Sequence, residues 1–163
     1  MTKKLKTIIT LILLSLNIHA VEKADKVLVL KSTSTLYLMK NKKVLYQYHV
    51  SFGANPEGHK HQEGDERTPE GNYTLDYKNP NSKYHKSIHI SYPNQQDKKW
   101  AKKAGVSAGG DIMIHGQKNG FGLLAWITQL FNWTNGCIAV KDSEMDKIWS
   151  LVDKGTAIEI QDK

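Results

Sequence analysis

Residues 26 to 53, KVLVLKSTSTLYLMKNKKVLYQYHVSFG, alternate apolar and polar side chains over almost their whole length. A period of two is incompatible with helix, because it puts every second side chain on one side of an extended chain. Val27 and Val29, then Leu36 and Leu38, then Val44 and Tyr46 are predicted to form the inward faces of half-buried strands. Tight turns join them, one around MKNKK.

The remainder continues in short pieces. NPEGHKHQEGDERTPEG is rich in glycine and proline and reads as loop, with a β-turn at TPEG, residues 68 to 71. NYTLDYK, SIHISYP, GGDIMIHG, GCIAV and TAIEIQ read as further strands. DKKWAKKAG suits a short helix that stops at Gly105. DSEMDKIWSLVDKG carries the clearest helical signal: Ser143 and Asp146 as a capping box, Met145, Ile148, Trp149 and Val152 as the apolar face, Gly155 as the stop. FGLLAWITQLFNW, residues 121 to 133, places Leu123, Trp126, Ile127 and Leu130 on one side at helical spacing. There is no repeat and no interdomain linker, so the expectation is a mainly β domain with a few peripheral helices.

The opening MTKKLKTIITLILLSLNIHA has the layout of a secretory signal peptide: three lysines, an apolar run from Ile8 to Leu16, and a polar stretch ending at the small Ala20. The run is short for a bilayer span. The expected organisation is therefore a signal peptide over 1–20 and one domain over 21–163, exported to the periplasm and not stably inserted in a membrane; an uncleaved N-terminal anchor is the alternative. Removing the first twenty residues takes away three lysines and no acid, lowering the formal charge from +7 to +4. The remaining lysines are scattered, without the basic stripe and interleaved aromatics that nucleic acid requires, so no nucleic-acid partner is expected. A weakly cationic surface suits an anionic polymer or carboxylate-bearing peptides.

The chain has a single cysteine, Cys137, between Gly136 and a β-branched run. A lone thiol cannot close an intramolecular disulfide, and in an oxidising compartment it is a liability. Its position just before a strand puts the sulfur on a turn, where the N–H groups of Asn135, Gly136 and Cys137 can aim at a developing oxyanion. The nucleophile is the thiolate, so it needs a base or a positive neighbour. Of the seven histidines, His115 is the best placed. It ends the strand DIMIHG, pointing with Met113 away from Ile112 and Ile114, and turns at Gly116. Its second ring nitrogen needs an orienting acceptor, for which a backbone carbonyl beside Gly116 is the expected group. An activated pair would make Cys137 alkylate faster than a free thiol, with His115→Ala slowing the reaction.

These residues carry a resemblance. IHG followed about twenty residues later by TNGCIAV resembles the signature of the L,D-transpeptidase catalytic domain, a His-Gly pair and then Ser/Thr-x-Gly-Cys, here His115, Gly116, Thr134, Gly136 and Cys137. GDERTPEGNYTL resembles the family's Thr-Pro-x-Gly segment and GGDIMIHG its approach to the histidine, so the likeness spans residues 27 to 160. Many members have histidine where Asn135 stands and arginine where Ala139 stands; GCIAV instead looks like a subgroup that includes a hydrolase freeing an outer-membrane lipoprotein from the wall. The resemblance implies an L,D-transpeptidase-like β-sandwich or barrel. It implies attack by Cys137 on the carbonyl of a meso-diaminopimelate residue in a peptidoglycan stem peptide, with His115 as base and then acid. The main chain at Asn135 to Cys137, with Gly116, would serve the oxyanion and orientation. The acyl-enzyme then passes to an amine or to water, in wall biogenesis and cell shape. The implied partners are peptidoglycan stem peptides and a wall-linked lipoprotein, and the chemistry needs no cofactor and no metal.

Further residues divide between a functional and a structural role. Arg67, the only arginine, either clamps a substrate carboxylate or pairs with Asp65 or Glu66. Trp126, Phe131 and Trp133 line a cleft, form a lid or fill core, and Thr134 donates to the His115 ring or shapes the turn. His59 and His61, among acids, read as solvated loop histidines in preference to metal ligands; His85 and His89 lie too far apart for easy chelation. Two rivals to the transferase or hydrolase stand beside it: a wall-binding module without chemistry, and an exported cysteine protease of general specificity.

Overall fold

A computed structural model describes residues 22–163; the expected signal peptide, 1–20, lies outside the described residues. The fold is mostly β, one curled eight-stranded sheet forming a half-barrel with three helices. The strands are β1 (Ala24–Leu30), β2 (Thr35–Lys40), β3 (Lys43–His49), β4 (Gly71–Asn79), β5 (Ser87–Ile90), β6 (Met113–His115), β7 (Ile138–Ala139) and β8 (Val152–Gln161), and the helices are α1 (Gln95–Ala104), α2 (Ala125–Thr128) and α3 (Asp142–Leu151). Their order in the sheet is β3-β2-β1-β8-β4-β5-β6-β7. β8 thus sits between β1, to which it is parallel, and β4, to which it is antiparallel.

The period-two pattern explains the inner strands. Val27, Val29, Leu36 and Leu38 are buried in one core with Leu75, Ile88, Ile114, Ile138, Ile158 and Ile160, closed on one side by Met145, Ile148 and Leu151 of α3. Asn41 and Lys42, both at positive φ, make the two-residue turn expected at MKNKK. Val44 and Tyr46 depart from expectation, since both are exposed. β3 is the outermost strand, and the register shifts so that Leu38 faces Tyr46 while Met39 faces Val44, leaving Leu45 extra. One inserted residue moves the side chains beyond it to the other face.

α1 stops at Gly105, in the left-handed region, as expected. α3 starts and ends differently. Its capping carboxylate is Glu144, which accepts the Lys141 N–H at 3.0 Å, while Asp146 accepts from His85 and Lys86 at 2.7 Å each. The chain passes straight into β8 at Val152, and Gly155 (φ 94°) lies inside that strand, where the pairing with β1 jumps from Ala24↔Val152 to Lys26↔Ala157.

The loop over residues 55–71 is held by buried charge. The Lys31 ammonium donates to Glu70 Oε1 and the Gly58 carbonyl, each at 2.6 Å. Burial pushes the Asp65 carboxyl up, but the Lys60 ammonium and the N–H groups of Gln62, His61 and Arg67 outweigh it and hold the group at about 2. His59 accepts the Glu70 N–H at Nδ1 and donates from Nε2 to Asp97, the same carboxylate that caps α1. His61 stacks on Trp100. Both histidines therefore fasten this loop to α1, a tighter role than the solvated one expected.

Candidate active site

β6 and β7 run side by side in parallel, with Ile114 opposite Ile138 and His115 opposite Ala139. Alternation puts Ile114 and Ile138 into the core. The same alternation turns Met113, His115 and Cys137 to the other face, where all three line a cleft of about 760 Å³. The sulfur and the imidazole thus lie on adjacent strands, two residues out of register.

The His115 ring is buried, and its Nδ1–H donates to the Gly116 carbonyl at 2.6 Å, leaving Nε2 as the basic nitrogen. Two aromatic rings hold it in place: Tyr84 at 4.7 Å and Trp133 at 5.8 Å between centroids. Gly116 acts here through its carbonyl, because its N–H is already donated to the carbonyls of Tyr84 and Lys86. A Cβ at Gly116 would come within 2.6 Å of Asp142 Oδ1, which accepts the Gln117 N–H.

The turn before β7 is built on Thr134. Its Oγ1 donates to the Cys137 carbonyl at 2.7 Å and accepts the Gly136 N–H at 3.2 Å. Thr134 therefore shapes the turn and does not reach the imidazole. Among the described residues the N–H groups of Asn135 and Cys137 have no intramolecular acceptor, so two of the three expected donors are free. Gly136 has φ 115°, and a Cβ there would stand 2.5 Å from the Arg67 carbonyl. Gly53 packs equally closely, with its missing Cβ 1.9 Å from the Glu66 carbonyl and 2.9 Å from the Gly136 nitrogen. The 55–71 loop is in this way the mould against which the cysteine turn is pressed.

Both groups of the pair sit where burial opposes charge. Burial pushes the Cys137 thiol up, and the nearby Asp111 carboxylate adds to this, against a smaller downward pull from the Met113 N–H and Lys60. The Sγ–H faces the Asp111 carbonyl at 3.6 Å. Burial pushes His115 down, only partly offset by the Gly116 carbonyl. Both directions favour a neutral thiol beside a neutral imidazole.

Of the other expected residues, Trp133, Thr134 and Asn135 line the cleft, and the indole N–H of Trp133 is buried without an acceptor among the described residues. Arg67 does not line it. Its guanidinium lies against Gly58, no carboxylate pairs with it among the described residues, and its contribution to the site is the main-chain carbonyl under Gly136. Trp126 and Phe131 neither line the cleft nor join the core; both are exposed. Lys83, Tyr84 and Asp111 are cleft residues that the sequence reading missed. Only Asp111 left a trace, following two glycines at the entry to β6, where it takes a φ of 54°. Among the described residues no group of three or more His, Cys, Asp or Glu side chains converges as a metal site.

The family model described as the L,D-transpeptidase catalytic domain (YkuD) matches residues 24–160. No curated protein sequence matches the chain. Among solved structures, the helical cell shape determining protein Pgp2 from Campylobacter jejuni superposes with a TM-score of 0.64 at 27% identity, over 87% of this chain and 49% of that one. Bd1075 of Bdellovibrio bacteriovorus gives 0.58 at 22% identity, over 86% and 49%. L,D-transpeptidase 1 of Mycobacterium tuberculosis gives 0.51 at 15% identity, over 83% and 60%, a likeness of fold. The chain spans about half the length of the first two.

Proposed function

The chain belongs to the L,D-transpeptidase catalytic domain family, and from that we propose that it is a periplasmic cysteine acyltransferase acting on peptidoglycan stem peptides, with Cys137 as nucleophile and His115 as base and acid. The observation that carries this reading is the pairing of β6 with β7. It sets both residues on one face of one cleft, with His115 Nδ1 tied to a carbonyl and Nε2 left to take a proton.

The chemistry follows from those positions. As a stem peptide enters, the Cys137 S–H proton passes to His115 Nε2 and sulfur bonds to the carbonyl carbon of the residue before the terminal D-amino acid. The oxyanion so formed is met by the free N–H groups of Asn135 and Cys137. Collapse breaks the C–N bond, and the departing amine takes its proton from the imidazolium. The thioester then reacts with an amine, giving a new amide, or with water, giving a carboxylate. The buried indole N–H of Trp133 is suited to a peptide carbonyl, and Lys83 to a stem carboxylate. Pgp2 is described as a determinant of helical cell shape, and the same reading gives this chain a part in wall architecture.

Defined muropeptides and mass spectrometry test the reading. Exchanged terminal D-amino acids or new cross-links are expected; shortened peptides or a released lipoprotein remnant instead would mean that water is the acceptor. Intact substrate after long incubation would end the enzyme reading in favour of a wall-binding module.

A pH profile follows from the buried pair. A raised thiol pKa leaves less thiolate at pH 7, so iodoacetamide should label resting Cys137 more slowly than a free cysteine model, the rate climbing at pH values above the ordinary thiol range of about 8.5. A lowered imidazole pKa keeps the base neutral further into acid. The acid limb of kcat/KM should therefore fall at a pH below about 6.5. A labelling midpoint below that of the free thiol would mean that a thiolate is present at rest.

A further inference from the structure

The segment over residues 121–131 is amphipathic in the reverse sense. Its polar groups point into the protein: Thr128 Oγ1 donates to Gln117 Oε1 at 2.6 Å, the buried Gln129 donates to the Ala139 carbonyl, His49 Nε2 donates to the Gln129 carbonyl, and Asn132 next to it accepts the Phe52 N–H. Its large apolar side chains point out. Leu123 is 94% exposed, Leu130 70%, Trp126 68% and Phe131 63%. Four anchors beneath a short ribbon hold this arrangement in place, so the apolar exposure belongs to the native fold. Contiguous exposed apolar surface of this kind marks a contact.

Charge selects the occupant. No acid occurs from Gln117 to Lys141. Lys118 and Lys83 border the segment, brought together by the Asn119 N–H bond to the Lys83 carbonyl, and neither has a carboxylate partner among the described residues. The nearest acids are already engaged, Asp142 by the Gln117 N–H and Asp146 by His85 and Lys86. A second copy seated on this face would bring like charges together. An anionic phospholipid surface would supply phosphates to the lysines and acyl chains to Trp126, Leu123, Leu130 and Phe131. The seating would be peripheral, since among the described residues no helix is long and apolar enough to cross a membrane. We propose that residues 121–131 dock this domain on the surface of an anionic phospholipid bilayer, with Trp126 and Leu123 in the acyl boundary and Lys118 at the headgroups.

The test uses the full chain with vesicles of phosphatidylglycerol and phosphatidylcholine carrying bromine on the acyl chains. Residues 1–21 contain no tryptophan, so bromine quenching at Trp126 reports this segment and not the N-terminus. Quenching is expected in the native chain, lost in Trp126→Phe, and abolished by Leu123→Asp with Leu130→Asp. Lys118→Gln should weaken vesicle binding about fivefold. Soluble muropeptide turnover of the Asp pair in vesicle-free buffer should stay at the native level, which separates this proposal from the catalytic one. Unquenched Trp126 in the native chain, or equal quenching in the Asp pair, overturns it. So does a lipid-independent dimer that the Asp pair dissociates, because the face would then belong to a second copy.

Discussion

Cys137→Ala is expected to lower muropeptide turnover by about 10⁴-fold or more while leaving the melting temperature within a degree or two of the native value. Loss of a nucleophile has an effect on that scale, because the remaining groups bind and polarise the peptide but form no acyl intermediate. The small stability effect has its own cause. The sulfur lines a cleft instead of filling core, and its contact is a long one to the Asp111 carbonyl. The turn that holds residue 137 depends on Thr134 and Gly136, which the substitution does not touch. Activity and thermal unfolding measured on one preparation check both halves. Retained turnover would place the chemistry elsewhere in the cleft. A collapse in melting temperature would make Cys137 a structural residue.

The second large effect is at Gly136. Gly136→Ala forces a Cβ into a backbone at φ 115° and to 2.5 Å from the Arg67 carbonyl, main chain that is itself locked by Asp65. Strain of this kind costs about 1–3 kcal/mol, and the overlap must be relieved by moving the turn. Movement there carries the Asn135 and Cys137 N–H groups off the oxyanion, for which a loss of about 10²–10³ in kcat is expected. KM should change far less, because the cleft walls at Tyr84 and Lys83 come from elsewhere. Steady-state kinetics with a denaturant titration separates the two effects. Unchanged kcat in a stable variant would remove this turn from the mechanism.

Much of this site was legible from local pattern, and the failures share a cause. Alternation in DIMIHG told which way His115 points, and glycine beside a lone cysteine told where a tight turn lies. What could not be read is whatever depends on distant chain. Tyr84 reaches His115 from the loop between β4 and β5, and Gly53 matters only because Glu66 folds over it. The thiol's raised pKa comes from burial and from Asp111, neither visible in GCIAV. Helical spacing in 121–133 put Leu123, Trp126, Ile127 and Leu130 on one side, but a single turn of α2 formed and the inward positions went to Ala125 and Gln129. Periodicity reports which residues share a side, and the surroundings decide which side is wet.

The place of β8 has a consequence for how the domain comes into being. The last strand of the fold is the seam between its two halves, zipped to β1 on one flank and to β4 on the other. Without Ile158 and Ile160, the β1–β3 side and the β4–β7 side share, among the described residues, only the isolated bridges Ser51↔Ala139 and Gly53↔Thr134. Such a chain closes late and through contacts of long sequence separation.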